Sequence, residues 1–393
     1  MTSAPVTAPL LPLSAPVLLV LLVSLAVALV AGFLMHRSDY CLTGMVRDLF
    51  LFRRAGLLPV LLLQIGATML LLELARLGGL WSGAAFITVK PLLLTSLIGG
   101  ALFGFGSVLC GSCVVGCLYK MATGSLLNLV AFLAMVAGAT LYAEIAPWWE
   151  GFTAGWPHLP YKTLPELLHR PVASLVWPLM VLLTLALWRY GRQHGFHRRC
   201  AARGFIQPWR TALAWAGLTV LLCLLVGMPM GITSSYVKLG LSVEQLLLPD
   251  HVAALDYGQR LRLEYVPPLL NPQNLRLEGR LGPGWDAVAL LQAPLVLGIV
   301  LGSAFSAWRL GEWRLVWRVP AWQYVLVLAG GLLTGLAARM APGCNVHYLL
   351  GDLPILGLNA LLFALGLLPG AAAGALVLRQ LLTHFAAGDR GNP

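Results

Sequence analysis

The stretch GGALFGFGSVLCGSCVVGCLYKMATGSL, residues Gly99–Leu126, decides the fold of this chain. It is too apolar for a surface loop, and it holds too much glycine and cysteine for an ordinary lipid-facing helix. A related stretch, GGLLTGLAARMAPGCNVHYLLGDLPILGL, occupies Gly330–Leu358. Four identities share one gapless register with an offset of 231 positions: Gly99, Gly100, Gly104 and Cys113 match Gly330, Gly331, Gly335 and Cys344. The two stretches therefore form an internal repeat, and the rest of the chain is its scaffold.

The composition of the 393-residue chain indicates a polytopic membrane protein. The chain is 59% hydrophobic and only 10% charged, which is far outside the usage of soluble proteins. Because backbone groups in lipid must be satisfied within helices, the fold is predicted to be all-α, with short broken or re-entrant helices added to the spans. About nine apolar runs approach the ~20 residues that cross a bilayer, near residues 15–35, 57–76, 92–118, 126–146, 172–190, 211–231, 287–305, 321–341 and 354–378.

The first apolar run is expected to be a retained helix. Met1–Ala15 contains no Lys or Arg, so the basic segment that opens a secretory signal peptide is missing. Basic residues follow the run instead, at His36 and Arg37.

The net charge of +11 is concentrated in three segments. Arg189–Arg210 has six arginines and no acid, and Arg37–Arg54 and Arg309–Arg318 are also basic, whereas Ile232–Gly284 has five basic and five acidic residues. By the positive-inside rule, the three basic segments are expected in the cytoplasm, with the N-terminus outside and the C-terminus inside. Orientation in the bilayer explains this charge better than binding of nucleic acid does.

The repeat and the charge pattern divide the chain into halves. Residues 1–188 form the first repeat half, 189–210 a basic cytoplasmic linker, and 211–393 the second half, with an external segment at 232–284. In this topology the Cys113 helix runs inward and the Cys344 helix outward, which predicts an inverted repeat. A weaker similarity aligns Ser303–Ser306 with Ser38–Cys41 and so pairs Cys41 with Ser306. Strict inversion would place the basic residues near these two segments on opposite sides of the membrane. One arginine-rich element is therefore expected to face an external vestibule.

The seven cysteines do not form a secreted disulfide framework, because their number is odd and they are scattered through apolar sequence. Cys110, Cys113 and Cys117 share one helical face, but the ligands needed for zinc or an iron–sulfur cluster are missing nearby. No metal, cofactor or catalytic residue is therefore predicted. Small packing residues are a sufficient explanation for Cys200 and Cys223, and a plausible one for Cys110 and Cys117, but less so for Cys113, because Cys344 repeats it.

Arg339 is an arginine inside an apolar segment, five residues before Cys344. Such a charge is costly unless it faces a cavity or a partner. Two interpretations have equal weight: Arg339 binds an anion, or it forms a structural pair with Glu73 or Glu144. Asn345 and the glycines beside the repeated cysteines, Gly111, Gly116 and Gly343, are further candidates for anion binding. His347 alone is better explained as a packing or loop residue than as a ligand.

GGALFGFGSVLCGSCVVGCLY and GGLLTGLAARMAPGCNVH resemble the paired signatures of the YeeE/YedE family of sulfur-compound transporters, and SDYCLTGMVRD at Ser38–Asp48 resembles that family's N-terminal cysteine element. The resemblance implies uptake of thiosulfate, or a related sulfur anion, across the inner membrane through a relay of Cys41, Cys113 and Cys344. The N-terminus is then expected in the periplasm and the C-terminus in the cytoplasm. Cys110 and Cys117 are secondary candidates. A small cytoplasmic sulfur-carrier protein is a further expected partner. The chain departs from the family pattern at Ser112, where glycine usually precedes the cysteine.

The physical chemistry of thiosulfate suits such a relay. A thiol is a weak donor that can meet the soft terminal sulfur of the anion without holding it tightly. A series of weak sites permits both entry and exit. The alternative is a membrane thiol–disulfide oxidoreductase in which Cys113 and Cys344 pass reducing equivalents across the bilayer. A purely structural membrane subunit would leave the repeated glycine–cysteine pattern unexplained.

Overall fold

A computed structural model describes residues 14–52, 57–198, 200, 202–268 and 274–388. Within these residues, nine helices are long and apolar enough to cross a membrane. This confirms the predicted all-α polytopic membrane protein. Arg53, Arg54 and Arg199 of the basic segments, together with both ends of the chain, lie outside the described residues.

The described part of the chain contains fifteen α-helices, two short two-stranded sheets and one irregular helical segment. The α-helices are α1 (Ala15–Ser38), α2 (Leu42–Leu51), α3 (Leu58–Leu77), α4 (Thr95–Cys110), α5 (Val114–Ala122), α6 (Leu126–Thr153), α7 (Leu164–Leu167), α8 (Val172–His194), α9 (Pro208–Leu225), α10 (Thr233–Leu247), α11 (Pro249–Ala254), α12 (Asp256–Gln259), α13 (Ala287–Leu310), α14 (Ala321–Met340) and α15 (Leu358–Gly388). Both sheets are antiparallel and pair β1 (Leu92–Leu93) with β2 (His158–Leu159) and β3 (Leu261–Tyr265) with β4 (Leu277–Arg280). The irregular segment is a π-helix at His347–Asp352 followed by a 3₁₀ turn at Leu353–Ile355.

Local sequence explains where the central helices begin and end. α4 stops at Gly111, whose φ of 72° is left-handed and therefore favours glycine. α13 begins after Asp286, whose side chain accepts hydrogen bonds from the N–H groups of Val288 and Ala289. It ends at Gly311, with φ of 66°. These breaks allow the chain to change direction inside an otherwise apolar sequence.

The basic segments meet on one side of the bundle, which we call the basic face. The Ile206 N–H donates to the Arg37 carbonyl at 3.0 Å, and Arg37 Nη1 donates to the Gly204 carbonyl at 3.2 Å. In the third segment, Glu312 Oε2 lies 3.6 Å from His36 Nε2, next to Arg37. The expectation that one arginine-rich element lines an external vestibule is therefore wrong. The other ends of the spans, together with residues 78–94, 154–171, 248–268 and 274–286, form what we call the vestibule face.

The two repeat motifs cross antiparallel at the centre of the bundle. A Cβ built on Gly99 in α4 would lie 2.6 Å from the Cβ of Ala341, which follows α14. A Cβ built on Gly330 in α14 would lie 2.6 Å from the backbone nitrogen of Cys110. With the offset of 231, Gly99 corresponds to Gly330 and Cys110 to Ala341, so the two contacts are equivalent. The inverted repeat predicted from sequence is thus a pseudo-two-fold axis between α4 and α14.

The surrounding helices follow the same pseudosymmetry. Gly104 of α4 packs directly on α15 at Leu367, and Gly335 of α14 packs directly on α6 at Met135. Backbones approach closely because glycine has no side chain, which is how helices associate in membranes. α1 packs on α13, and α9 packs correspondingly on α3. α8 is the outermost span, and Val176 is its only buried residue among those described.

The pairing of Cys41 with Ser306 is also wrong. Ser306 lies at the basic face, where Arg37 Nε donates to its hydroxyl at 2.9 Å. Because α1 and α2 correspond to α9 and α10, the residue that matches Cys41 is Ile232, which directly precedes α10 as Cys41 directly precedes α2. Residues 226–232 turn back into the bundle, and α10 then leads out again along α6. Tyr236 in its first turn is buried beside Cys117.

Candidate functional site

The three cysteines of the expected relay share one structural position. Cys41 and Cys113 are the N-cap residues of α2 and α5, and both have extended backbone conformations. Cys344 directly precedes the helical segment that begins at Asn345. All three are buried. The first turn of a helix carries unsatisfied N–H groups and the positive end of the helix dipole, so each thiol lies where a negative charge is stabilised.

Cys41 and Cys113 are close neighbours, and Gly116 lies between them. The Gly116 N–H donates to Cys113 Sγ at 3.2 Å. A Cβ built on Gly116 would lie 3.2 Å from Cys41 Sγ and 3.3 Å from Cys113 Sγ. Any side chain at this position would therefore enter the space shared by the two sulfurs. This contact joins the N-terminal element to the first repeat motif.

Cys344 is surrounded by polar groups of its own helical turn. The backbone N–H groups of Val346 and His347 lie against its sulfur. Gly343 has no room for a side chain, because a Cβ there would lie 2.8 Å from the Tyr348 ring and 2.9 Å from the His347 ring. The Asn345 side chain is buried, and its Oδ1 accepts no hydrogen bond from the described residues.

The remaining cysteines have other surroundings. Cys117 donates to the Val114 carbonyl at 3.1 Å and lies 3.6 Å from the hydroxyl of Tyr236, so it contributes to packing between α5 and α10. Cys110 is buried at the end of α4, next to Gly330. Cys223 is buried in α9, and Cys200 is exposed at the basic face. Lys120 donates to the Gly111 carbonyl at 3.2 Å and fixes the break before Cys113.

A cavity of about 470 Å³ opens on the vestibule face and reaches the Cys344 turn. Its wall includes Gly343 and His347, one residue before Cys344 and three after it. We call this cavity the vestibule. Its charged lining residues are Lys90, Glu150, Arg262 and Arg339.

Arg339 faces the vestibule and is held by hydroxyl groups. Its Nη2 donates to the Tyr257 hydroxyl at 2.9 Å, and its Nη1 donates to Ser234 Oγ at 3.2 Å. Glu73 is bound by Arg76 at 2.6 Å, and Glu144 lies 3.0 Å from His251 Nε2. The structural pair of Arg339 with Glu73 or Glu144 is therefore wrong. Among the described residues, Arg339 forms no ion pair, so its charge is available to a ligand.

Lys90 and Arg262 add positive charge to the vestibule. Glu150 partly neutralises it, since this carboxylate binds Arg260 at 2.6 Å and Arg262 at 3.5 Å. Lys90 is reached by solvent, yet it sits in a recess where the surrounding protein displaces much of that solvent. This desolvation, followed by repulsion from Arg339 and Arg262, lowers the pKa of Lys90 to about 8. The vestibule therefore gains positive charge as the pH falls through 8.

His347 and Asp352 form a buried pair next to Cys344. His347 Nε2 lies 3.4 Å from Asp352 Oδ2, and the exposed fractions of the two side chains are 8% and 2%. His347 Nδ1 and Asp352 Oδ1 have no hydrogen-bond partner among the described residues. The packing role expected for His347 therefore does not describe its surroundings. The two residues are the ends of a π-helix. This conformation is rare in proteins overall, and where it occurs it is frequently found at functional sites.

Sequence reasoning missed several residues of this site. Asp352 had a usable signal, since it is the only acidic residue between Glu312 and Asp389. Lys90, Arg262 and Tyr257 had none, because they belong to a loop, a β-strand and the short helix α12, whose positions at the vestibule depend on the tertiary fold. Ser234 belongs to the segment 232–284, which the charge pattern predicts to be external. In the structure its hydroxyl accepts a hydrogen bond from Arg339.

Comparison with known proteins gives consistent matches. The family model described as "Sulphur transport" matches residues 37–373. The chain is similar to the thiosulfate transporter TsuA of Spirochaeta thermophila, with 26% identity over 90% of this chain and 98% of that protein. It is also similar to TsuA of Escherichia coli K12, with 28% identity over 80% of this chain and 82% of that protein. The probable transporter YedE of Salmonella typhimurium matches over 43% of this chain and 40% of its own length, at 26% identity.

The family match and the fold agree on what kind of molecule this is. A match over residues 37–373 includes all three cysteine motifs and both repeat halves. The relatives are named as transporters, which makes this chain a transporter of sulfur compounds rather than an enzyme. The chain is a multi-pass membrane protein and belongs to the sulphur transport (YeeE/YedE) family.

Proposed function

We propose that the protein imports thiosulfate, or a related small sulfur-containing anion, across the inner membrane. In this proposal the vestibule face is periplasmic and the basic face is cytoplasmic, following the positive-inside rule. The names of the two TsuA relatives support thiosulfate as the substrate. The position of the basic segments on a single face supports the orientation.

The vestibule is the observation that carries the proposal. It is lined by more positive than negative side chains, and Arg339 is held there by hydroxyl groups rather than by a carboxylate. An anion entering the vestibule can replace solvent around Arg339 and Lys90 without breaking an ion pair of either residue. The inner wall ends at Gly343 and His347, so an anion bound there lies next to Cys344.

From Cys344 the anion would pass to Cys113 and then to Cys41. Moving a dianion into an apolar bundle is costly, and N–H groups at three helix N-termini offset part of that cost. Each thiol adds a weak interaction with the soft sulfur of the substrate, so no site traps it. The pseudo-two-fold axis relates Cys113 and Cys344, which gives the anion similar surroundings on either side of the centre.

The exit would lie at the basic face below Cys41. Asp39 follows α1 in a left-handed conformation with φ of 49° and accepts a hydrogen bond from the Tyr119 hydroxyl at 2.9 Å. Lys120, one residue further along α5, supplies a positive charge at the same depth. A small cytoplasmic sulfur-carrier protein is the proposed recipient of the imported sulfur.

Uptake of radiolabelled thiosulfate tests this function directly. Cells that express the protein should accumulate label, and unlabelled thiosulfate should compete more strongly than sulfate of the same charge, because sulfate has no terminal sulfur. Equal expression of the Arg339→Gln variant provides the comparison for the vestibule. No accumulation above that of cells lacking the protein would refute the proposal. A Cys113–Cys344 disulfide that forms and breaks with growth conditions would instead favour the oxidoreductase alternative.

A further inference from the structure

The buried pair of His347 and Asp352 is not used by the relay described above. Two ionisable side chains at membrane depth are costly, and such residues generally mark a functional path. Asp352 has one neighbouring base, His347 at 3.4 Å, and its second oxygen is unpartnered among the described residues. The pair therefore exists either as a carboxylate beside a neutral imidazole or as the same pair with one more proton.

The pair can exchange a proton with the vestibule through His347. The imidazole lines the vestibule, whereas Asp352 lies behind it and is 2% exposed. The free atom, Nδ1, lies on the side of Gly231, where a Cβ would be 3.3 Å away. Nδ1 is buried against this wall of the vestibule, so a proton from vestibule water reaches it through a small local movement of the ring or of Gly231, while Nε2 remains directed at the carboxylate.

The charge on this pair matters to the substrate because the pair and Cys344 share one helical segment. A dianion next to Cys344 would repel an Asp352 carboxylate in surroundings of low dielectric constant. A proton bound by the pair removes its net charge and leaves an imidazolium beside the anion. By thermodynamic linkage, the anion then raises the affinity of the pair for a proton, and the proton raises the affinity of the site for the anion.

We propose that binding of the anion at Cys344 takes up one proton onto the His347–Asp352 pair, which makes this pair a proton-binding site of the transport cycle. The inference rests on the proposed function. The proton comes from vestibule water, binds to His347 Nδ1 and leaves when the anion moves on to Cys113. No covalent bond to sulfur is formed or broken.

Other ionisable groups near the pair do not replace it. The thiol of Cys344 and the phenol of Tyr348 belong to the same segment, and Glu73 on α3 is already bound by Arg76. α15 presents Asn359, which does not titrate. The groups on the remaining neighbours are Cys223 on α9, whose thiol is within electrostatic reach of Asp352, and Arg339 on α14, which stays charged.

Calorimetry on the purified full-length protein tests the inference. Thiosulfate is titrated at pH 6 and at pH 7, both below the pKa of about 8 of Lys90, so that Lys90 is largely protonated before the anion binds, and uptake is sought at either pH. The binding heat is compared in buffers with different enthalpies of ionisation, and the slope gives the protons taken up per anion. We expect a slope approaching one proton per anion for the wild type.

The variants His347→Gln and Asp352→Asn should lose this uptake, and thermal unfolding of each variant checks that it folds. His251→Gln is the matched control, because His251 lies on the same face outside the vestibule lining and should keep the wild-type slope. The slope measured for the wild type shows by itself whether a proton is taken up. The test therefore remains valid even if one of the variants fails to fold. Binding without proton uptake overturns this inference and leaves the proposed function intact. Absence of any binding heat overturns both.

Discussion

Gly99 and Ala341 touch where α4 meets the turn after α14, and this contact has a twin between Gly330 and Cys110. The offset of 231 positions relates the two contacts, because it pairs Gly99 with Gly330 and Cys110 with Ala341. A contact and its twin at one crossing show that the repeat folds around a local two-fold axis in the middle of the bundle. Cys113 and Cys344, three residues beyond the crossing on each side, are thereby brought to equivalent depths.

Close packing of the repeat glycines predicts a strong effect of one methyl group. A Cβ at Gly335 would lie 2.0 Å from the Met135 carbonyl oxygen, so Gly335→Ala must push α14 away from α6. We expect a loss of about 1–3 kcal/mol, the range seen for overpacked cores. Gly217→Ala is the control, because nothing lies within 4 Å of a Cβ on that exposed side of α9. Thermal unfolding in detergent should separate the two variants, and equal unfolding temperatures would contradict the packing described here.

Serine substitutions rank the cysteines. Cys113→Ser and Cys344→Ser should each reduce thiosulfate uptake about tenfold or more, which corresponds to about 1.4 kcal/mol per site, because a hydroxyl does not match the soft terminal sulfur of the anion. Serine keeps a donor and nearly the same volume, so the loss reports the missing sulfur. Cys41→Ser should be similarly impaired, because Cys41 shares the Gly116 contact with Cys113.

The other cysteines provide the comparison for that ranking. Cys200→Ser and Cys223→Ala should be nearly neutral, and Cys110→Ser and Cys117→Ser should be intermediate. Growth on thiosulfate as the sulfur source, with expression controlled, measures the whole series. Wild-type growth of Cys113→Ser would rule out the relay.

The lowered pKa of Lys90 leads us to expect that thiosulfate uptake depends on pH. Its pKa of about 8 lies below the usual value for lysine, so its charge is present at pH 7 and is lost as the pH rises through 8. We expect the KM for thiosulfate to rise by up to about fivefold between pH 7 and pH 9, since an exposed ion pair contributes at most about 1 kcal/mol. Lys90→Arg should abolish this rise, because arginine keeps its charge. A rise of the same size in Lys90→Arg would assign the effect to another group.

Substitution of Arg339 should change the KM for thiosulfate more than loss of the Lys90 charge does. Arg339→Gln should raise the KM about tenfold or more, because a hydrogen bond to a charged group contributes about 1.5–3 kcal/mol. Arg339→Lys should recover only part of the loss, since an ammonium cannot bind two hydroxyl groups and an anion with the same planar geometry. Arg276→Gln is the control, because Arg276 is exposed and pairs with Glu264 outside the vestibule lining. Equal effects of Arg339→Gln and Arg276→Gln on radiolabelled uptake would show that bulk charge alone matters.

Cys200 makes the orientation testable without introduced cysteines. It is exposed at the basic face, while the other six cysteines are buried. A membrane-impermeant thiol reagent should leave Cys200 unlabelled in intact cells and label it after permeabilisation, and Cys200→Ser should remove that labelling. Labelling in intact cells would place the basic face outside and reverse the proposed direction of the pathway.

The nine spans, the inverted repeat and the special position of Cys113 and Cys344 could be predicted from sequence. Apolar runs of membrane length determine the spans, because lipid leaves the backbone no other partner than its own helix. The positive-inside rule likewise predicted that the three basic segments share one face, although the wrong pairing of Cys41 with Ser306 led to the opposite expectation for one of them. The partner of Cys41 could not be predicted in this way, because short echoes such as Ser303–Ser306 carry no information about depth in the bundle.

The sequence by itself determined which helices form and where they break, since these follow from local hydrophobicity, glycine and charge. Only the tertiary structure decided what surrounds the cysteines. Gly116 lies between Cys41 and Cys113 because α2 and α5 begin at the same place, 72 positions apart in the chain. Lys90, Arg262 and Arg339 meet in one vestibule because a loop, a β-strand and a helix from three distant parts of the chain converge there. Contacts of this kind depend on how helices pack, and no local pattern encodes them.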